Sequence, residues 1–186
     1  RGPDSCGYFS NPEISMGFRR LSIIDLEAGD QPIFNEDKTL VLTFNGEIYN
    51  YKELREELQR KGHIFATHTD SEVLIHGFEE WREGLLNRLR GMFGFAIWNT
   101  VDKSLFIARD FFGIKPMHYT KVGDHLVYGS EIKSILQFPG FEKKFNYDTL
   151  NNYLSFQYAV PPQTFFENLY CLLPGHYLWY KNGKIT

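Results

Sequence analysis

The 186-residue chain is 42% hydrophobic and 17% aromatic, enough for one large core and far from the composition of a disordered segment. A net charge of −3 offers no attraction to nucleic acid or to an anionic membrane surface. No apolar run is long enough to span a bilayer, no signal peptide is evident, and Cys6 and Cys171 alone cannot build a disulfide framework, so the cytoplasm is the expected compartment.

Taken in chain order, residues 1–12 are punctuated by Gly2, Pro3, Asp4, Gly7, Asn11 and Pro12 and read as turns. Residues 14–24 hold strand material (Met16, Phe18, Leu21, Ile23, Ile24) interrupted by Arg19 and Arg20, a pair that suits either a solvated strand face or an anion site. Residues 25–37 read as loop. The run 40–44 is short and partly β-branched, which predicts a strand leading into Asn45-Gly46-Glu47. Asn-Gly after a strand ordinarily marks a hairpin, but a helix start follows almost at once. Asn50 and Glu53 have capping-box spacing, and Tyr49 and Leu54 are placed for a hydrophobic staple.

The helix predicted over 51–61 carries the i,i+4 pairs Glu56–Arg60 and Glu57–Lys61, read as a solvated face, and Gly62 stops it. A short strand is expected at 64–66. Thr69 and Glu72 space a second capping box ahead of a helix with Val73, Leu74, Phe78 and Trp81 inward, so Asp70 is either part of a cap or a ligand-facing carboxylate. Helix continues over 85–89. Strands at 93–98 and 105–108 flank a polar turn at 99–103 and form a hairpin. Further strands are expected at 117–120, 126–128, 164–166 and 176–180, with helices at 131–137 and 148–154. Strands joined by hairpins, then helices, argue an α+β fold with antiparallel sheets. The chain opens on Arg1 without an initiator Met and closes inside a hairpin at Asn182-Gly183, so it is expected to be one domain, 1–186, cut from a longer polypeptide at both ends.

The six histidines are scattered, with no pair at helical ligand spacing, so no metal site is expected. Neither a glycine-rich phosphate loop nor a Gly-X-Ser-X-Gly elbow occurs. What remains is Arg20, Asn45, Gly46, Glu47 and Asp70. One cation, two anions and two neutral donors have the charge types to hold an α-amino acid with a reacting carbonyl. Spacing alone does not assign that role.

Longer motifs do more. Residues 1–5 (Arg-Gly-Pro-Asp-Ser), 20–26 (Arg-Leu-Ser-Ile-Ile-Asp-Leu), 31–37 (Gln-Pro-Ile-Phe-Asn-Glu-Asp) and 44–51 (Phe-Asn-Gly-Glu-Ile-Tyr-Asn-Tyr) stand in order. They are followed by Asp-Ser-Glu-Val at 70–73, Leu-Arg-Gly-Met-Phe-Gly-Phe-Ala at 89–96 and Ala-Arg-Asp-Phe-Phe-Gly-Ile-Lys-Pro at 108–116. Gly-Ser-Glu-Ile-Lys-Ser at 129–134 and Pro-Gly-His-Tyr at 174–177 complete the set. Together they resemble the glutaminase half of the glutamine-hydrolysing asparagine synthetase family, class II glutamine amidotransferases of the N-terminal-nucleophile hydrolase superfamily.

The resemblance implies an αββα sandwich of two antiparallel sheets between helices, lacking its first strand here. It implies that Arg20 holds the α-carboxylate of L-glutamine, with backbone of Leu21, Ser22, Ile23 and Ile24 lining the pocket. Glu47 and Asp70 would take the α-ammonium, while the Asn45 amide and the Gly46 N–H would form the oxyanion hole. The implied reaction is glutamine hydrolysis, with ammonia feeding ATP-dependent conversion of aspartate to asparagine. ATP and Mg would belong to a C-terminal synthetase domain of the same polypeptide, and no cofactor is implied for this one. A homodimer is compatible with the resemblance. In one respect the sequence departs from it. The family's nucleophile is a cysteine at the mature N-terminus whose own α-amine is the base, and neither Cys6, after a Gly-Pro pair, nor Cys171, in an apolar run, stands there. The chain alone is therefore expected to be inactive. A glutaminase half serving another ammonia acceptor, and a non-catalytic glutamine-binding domain, remain the alternatives.

Overall fold

Alternation of apolar residues along the central strands sets the architecture in the computed structural model, which describes residues 5–20 and 30–186, and of Arg20 the backbone only. A hairpin of β1 (Ser5–Ser10) and β2 (Ser15–Arg20) comes first, followed by β3 (Ile33–Phe34) and the long β4 (Leu40–Ile48). Two helices follow, α1 (Tyr51–Arg60) and α2 (Glu72–Trp81), then a 3₁₀ turn over Arg82–Asn87. Next come β5 (Gly91–Asn99), β6 (Ser104–Arg109), β7 (His118–Val122), β8 (His125–Gly129), α3 (Ile132–Ile135) and α4 (Tyr147–Phe156). β9 (Leu169–Cys171), β10 (Tyr177–Lys181) and β11 (Lys184–Ile185) end the chain.

The strands form an antiparallel six-stranded sheet, β11-β10-β6-β5-β4-β3, a three-stranded sheet, β8-β7-β9, and the β1-β2 ribbon. Because side chains alternate across a strand, Leu40, Leu42, Phe44 and Ile48 of β4 fall on one face of the large sheet. They meet Leu54 and Leu58 of α1 and Val73, Leu74 and Phe78 of α2. Phe78, Phe95 and Phe106 are fully buried there with ring centres 5.0 and 6.0 Å apart, and each contributes about 1.5–3 kcal/mol by leaving water. The opposite face carries Val41, Ala96, Trp98, Leu105 and Ile107, and packs on Met16 from β2, Met117 before β7 and Leu172 after β9. Helices, large sheet and smaller sheets are thus stacked, with α3 against β7 and β8 outside them. Among the described residues no helix is long and apolar enough to cross a membrane.

Several local expectations are corrected. Residues 5–10 are strand, because their backbone pairs with 15–20 despite the turn-forming residues around them. Residues 64–66 are not strand, and 164–166 contribute only an isolated bridge through Phe166. The helix does not run on through residues 85–89. Arg82 adopts a positive φ of 49° and the chain tightens into the 3₁₀ turn. Neither capping box forms. The Asn50 side chain bonds Arg88 O and Arg90 N, and Glu72 accepts from Ala66 N and Thr67 N. Tyr49 is exposed, so it staples nothing. The helix charges reach farther than one turn: Glu57 pairs with Arg88 and Lys61 with Glu80, both at 2.9 Å.

Candidate functional site

β4 changes character along its length, and the site lies where it does. Its odd-numbered residues, Val41, Thr43, Asn45 and Glu47, share the face turned to the smaller sheets, so two polar side chains follow two that are buried. The cleft in front of them has a volume of about 1380 Å³ and is lined by Asn45, Gly46, Glu47 and Asp70, with Tyr128 and Gly129 of β8 on the far side.

The edge of β4 matters as much as its face. In β5, Phe93 bonds towards β6, since its carbonyl accepts from Asp110 N at 2.8 Å, so its neighbour Gly46 directs N–H and C=O away from β5. Phe44 and Ile48 point the same way. The Gln31 side chain takes both groups of Phe44, its Oε1 accepting from Phe44 N at 2.6 Å and its Nε2 donating to Phe44 O at 2.9 Å. Asp70 Oδ2 accepts from Ile48 N at 2.8 Å. Between these two clamps stands the Gly46 N–H, beside the Asn45 amide, with no acceptor among the described residues. The site needs glycine here, since a Cβ on residue 46 would collide with the Met92 carbonyl oxygen and lie 2.8 Å from Phe93 Cα.

Asp70 is not the cap of α2 and lines the cleft. It is buried and pinned to the β4 edge, and burial, reinforced by the charge of Glu47, raises its pKa against the opposing Ile48 N–H bond. Two neighbouring carboxylates, one desolvated, make a place that a cation would relieve. On the far wall the Tyr128 phenol faces Thr43, and burial pushes its pKa up to about 12, so it stays protonated at neutral pH.

The structure therefore gathers Asn45, Gly46, Glu47 and Asp70. The side chain of Arg20 and residues Leu21, Ser22, Ile23 and Ile24 lie outside the described residues. Gln31 and Tyr128 were not singled out by sequence reasoning. A glutamine amide that mimics a strand neighbour carries no periodic signal, and Tyr128 looks like any strand aromatic.

The family described as "Glutamine amidotransferase domain" matches residues 1–186. The chain belongs to that family. The amidotransferase domain is 47% identical to asparagine synthetase [glutamine-hydrolyzing] 1 of Bacillus subtilis, over 100% of this chain and 29% of that protein. It is 37% identical to asparagine synthetase [glutamine-hydrolyzing] 3 of the same organism, over 100% of this chain and 31% of the relative, so it spans about three-tenths of these relatives' length. Among solved structures, the B. subtilis glutamine phosphoribosylpyrophosphate amidotransferase superposes with a TM-score of 0.62 at 22% identity, covering 92% of this chain and 34% of that one. The likeness shows the fold, an α+β arrangement of antiparallel sheets and helices.

Neither cysteine of the amidotransferase domain lies in the cleft wall. Cys6 is exposed on the outer face of β1, where exposure alternates along the strand. Cys171 is half-buried behind the cleft, its Sγ 3.0 Å from Arg109 Nη1. Arg109 and the buried Asp110 order the 110–115 loop, Arg109 donating to Gly113 O, Lys115 O and Leu172 O and Asp110 accepting from Phe112 N, Ile114 N and Lys115 N.

Proposed function

We propose that the cleft binds L-glutamine and stabilises the hydrolysis of its side-chain amide to glutamate and ammonia. The observation that carries this reading is the Gly46 N–H, without an acceptor among the described residues, standing beside Asn45 and Glu47 on β4, with Asp70 clamped to the same strand edge at Ile48. The α-ammonium sits against Glu47 and Asp70, and the scissile carbonyl oxygen turns towards Gly46 N–H and Asn45 Nδ2, which hold the negative charge of the tetrahedral intermediate. Arg20 clamps the α-carboxylate, with the backbone of residues 21–24 closing that end. The nucleophile is neither Cys6 nor Cys171, since neither side chain reaches the cleft, and residues 1–186 alone do not turn over.

In the full-length polypeptide the ammonia goes to a C-terminal synthetase domain that makes asparagine from aspartate, with ATP and Mg bound there rather than here. The names of the relatives, and the small fraction of their length that this domain covers, support that assignment. The test is Asn45→Ala in the full-length protein. Loss of one oxyanion donor should slow glutamine hydrolysis by about 10²–10³-fold, while asparagine synthesis from free ammonia, aspartate and ATP continues. Near-normal hydrolysis, or equal loss of both activities, overturns the oxyanion role. Cys6→Ser should leave hydrolysis unchanged.

A further inference from the structure

A second constellation lies on the helix side of the large sheet, apart from the cleft. Glu36 comes from the turn between β3 and β4, His63 from the connection after α1, and His76 and Glu79 from adjacent turns of α2. One ligand atom from each lies within 4.8 Å of all the others. His76 Nδ1 is 3.4 Å from both Glu36 Oε2 and Glu79 Oε2. His63 Nδ1 is 3.5 Å from Glu36 Oε1 and 3.7 Å from Glu79 Oε2.

These separations are long for hydrogen bonds between imidazole and carboxylate, which close to about 2.7–2.9 Å when charge-assisted. They are instead close to the edges of a tetrahedron. Ligand atoms at about 2.0–2.2 Å from a zinc ion stand about 3.3–3.6 Å apart. Glu36 faces one histidine through each of its oxygens, and one atom from each of the four residues comes within 4.8 Å of the others.

The outward atoms of His63 and Glu79 are held as metal ligands usually are. His63 Nε2 is 3.3 Å from Glu80 Oε1, and Glu80 is itself fixed by Lys61 at 2.9 Å. Asn35 Nδ2 donates to Glu79 Oε1 at 2.8 Å, leaving Oε2 turned inward, while Asn35 Oδ1 is anchored by Leu40 N. Ile64 N donates to Glu36 Oε1 at 3.0 Å. His76 is buried, its ring edge-on to Phe65, and its Nε2 has no partner among the described residues.

We propose that Glu36, His63, His76 and Glu79 form a structural site for a divalent transition metal of the zinc class. Two neutral imidazoles and two carboxylates balance a 2+ ion, and borderline nitrogen and oxygen donors suit zinc better than the oxygen-only sets that take calcium or magnesium. With four protein ligands the ion has no open position for substrate, so it pins the connection after α1 to α2 and to the β3–β4 turn.

The experiment uses the full-length protein, stripped with chelator and titrated with Zn²⁺ and with Co²⁺ as a spectroscopic probe. One ion per chain, a higher melting temperature with zinc and the visible absorption of tetrahedral Co²⁺ are expected. Glu36→Gln, at the most exposed ligand, should lose affinity at least tenfold while its chelated form melts like the chelated wild type. Glu80→Gln, behind His63, should weaken binding by about 10–100-fold. No stoichiometric binding, or wild-type affinity in both Glu36→Gln and Glu79→Gln, overturns the site. If binding persists at one ion per chain in both variants, the metal sits elsewhere and this assignment is wrong.

Discussion

Asp70 shows how a single carboxylate can clamp a strand edge and line a cleft together. One oxygen holds the Ile48 N–H, and burial and the Glu47 charge raise its pKa. Its folded pKa lies above the unfolded value near 4, so in that window the folded chain keeps a proton that the unfolded chain releases. The stability tied to that proton is complete below the unfolded pKa and is lost as pH rises through the folded one. Asp70→Asn should therefore flatten the decline in melting temperature across the interval just above pH 4, as read from scans at stepped pH; an unchanged slope would show that another group sets it. An ammonium ligand should drive the same proton off, so binding measured in buffers of different ionisation enthalpy should register proton release in wild type and none in Asp70→Asn. The sequence could place Asp70 beside a helix start but could not choose its partner. Asn50 and Glu72 went the same way, because a backbone group from another element competed with the local cap and won. The metal-type cluster was invisible for a related reason: of its four members only His76 and Glu79 are close in sequence, at the i,i+3 spacing.

At the scale of elements, β4 carries three functions because a strand has two faces and two edges. Its even side chains build the helix-side core, its odd side chains enter the cleft, and its free edge is clamped at Phe44 and Ile48 around Gly46. That the segment is a strand was legible from four apolar residues in the run 40–44, and that Asn-Gly-Glu is not a hairpin turn was legible because a helix follows it. The extension of the strand through Asn45, Gly46 and Glu47 to Ile48 was not, because the pairing of Asn45 with Gly94 and Glu47 with Met92 is supplied by β5. Two substitutions probe the clamp. Gly46→Ala forces a Cβ against β5 backbone and should cost about 1–3 kcal/mol as overpacking, seen as a lower urea midpoint. Gln31→Leu keeps the volume near that of glutamine but strands the buried N–H and C=O of Phe44, at about 1–3 kcal/mol for each group left unpaired. A midpoint unchanged in Gln31→Leu would mean that another group covers the edge.

The whole molecule is held by contacts between layers that the sequence announces only in outline. Paired hairpins such as 91–109 and the Asn182-Gly183 turn, with both turn residues at positive φ, fixed the antiparallel α+β class. Which strand lies over which did not follow, since stacking of sheets is set by side chains far apart in sequence, as in the meeting of Met16, Trp98 and Leu172. Tyr128 makes one such approach, its phenol on β8 facing Thr43 of β4 across the cleft. Its phenol ionises near 10 in the unfolded chain and near 12 in the folded one, so between these values the unfolded state gives up its proton first. Folding stability must then fall as pH rises through that interval, by an amount on the order of 2–3 kcal/mol for this residue at the upper end. Tyr128→Phe removes the titrating hydroxyl, so its stability should decline less between pH 10 and 12. Urea denaturation of both proteins at pH 7 and at pH 11 measures the difference. If the two curves run parallel across that range, the phenol is not shielded between the sheets, and the layers are joined there by apolar packing alone.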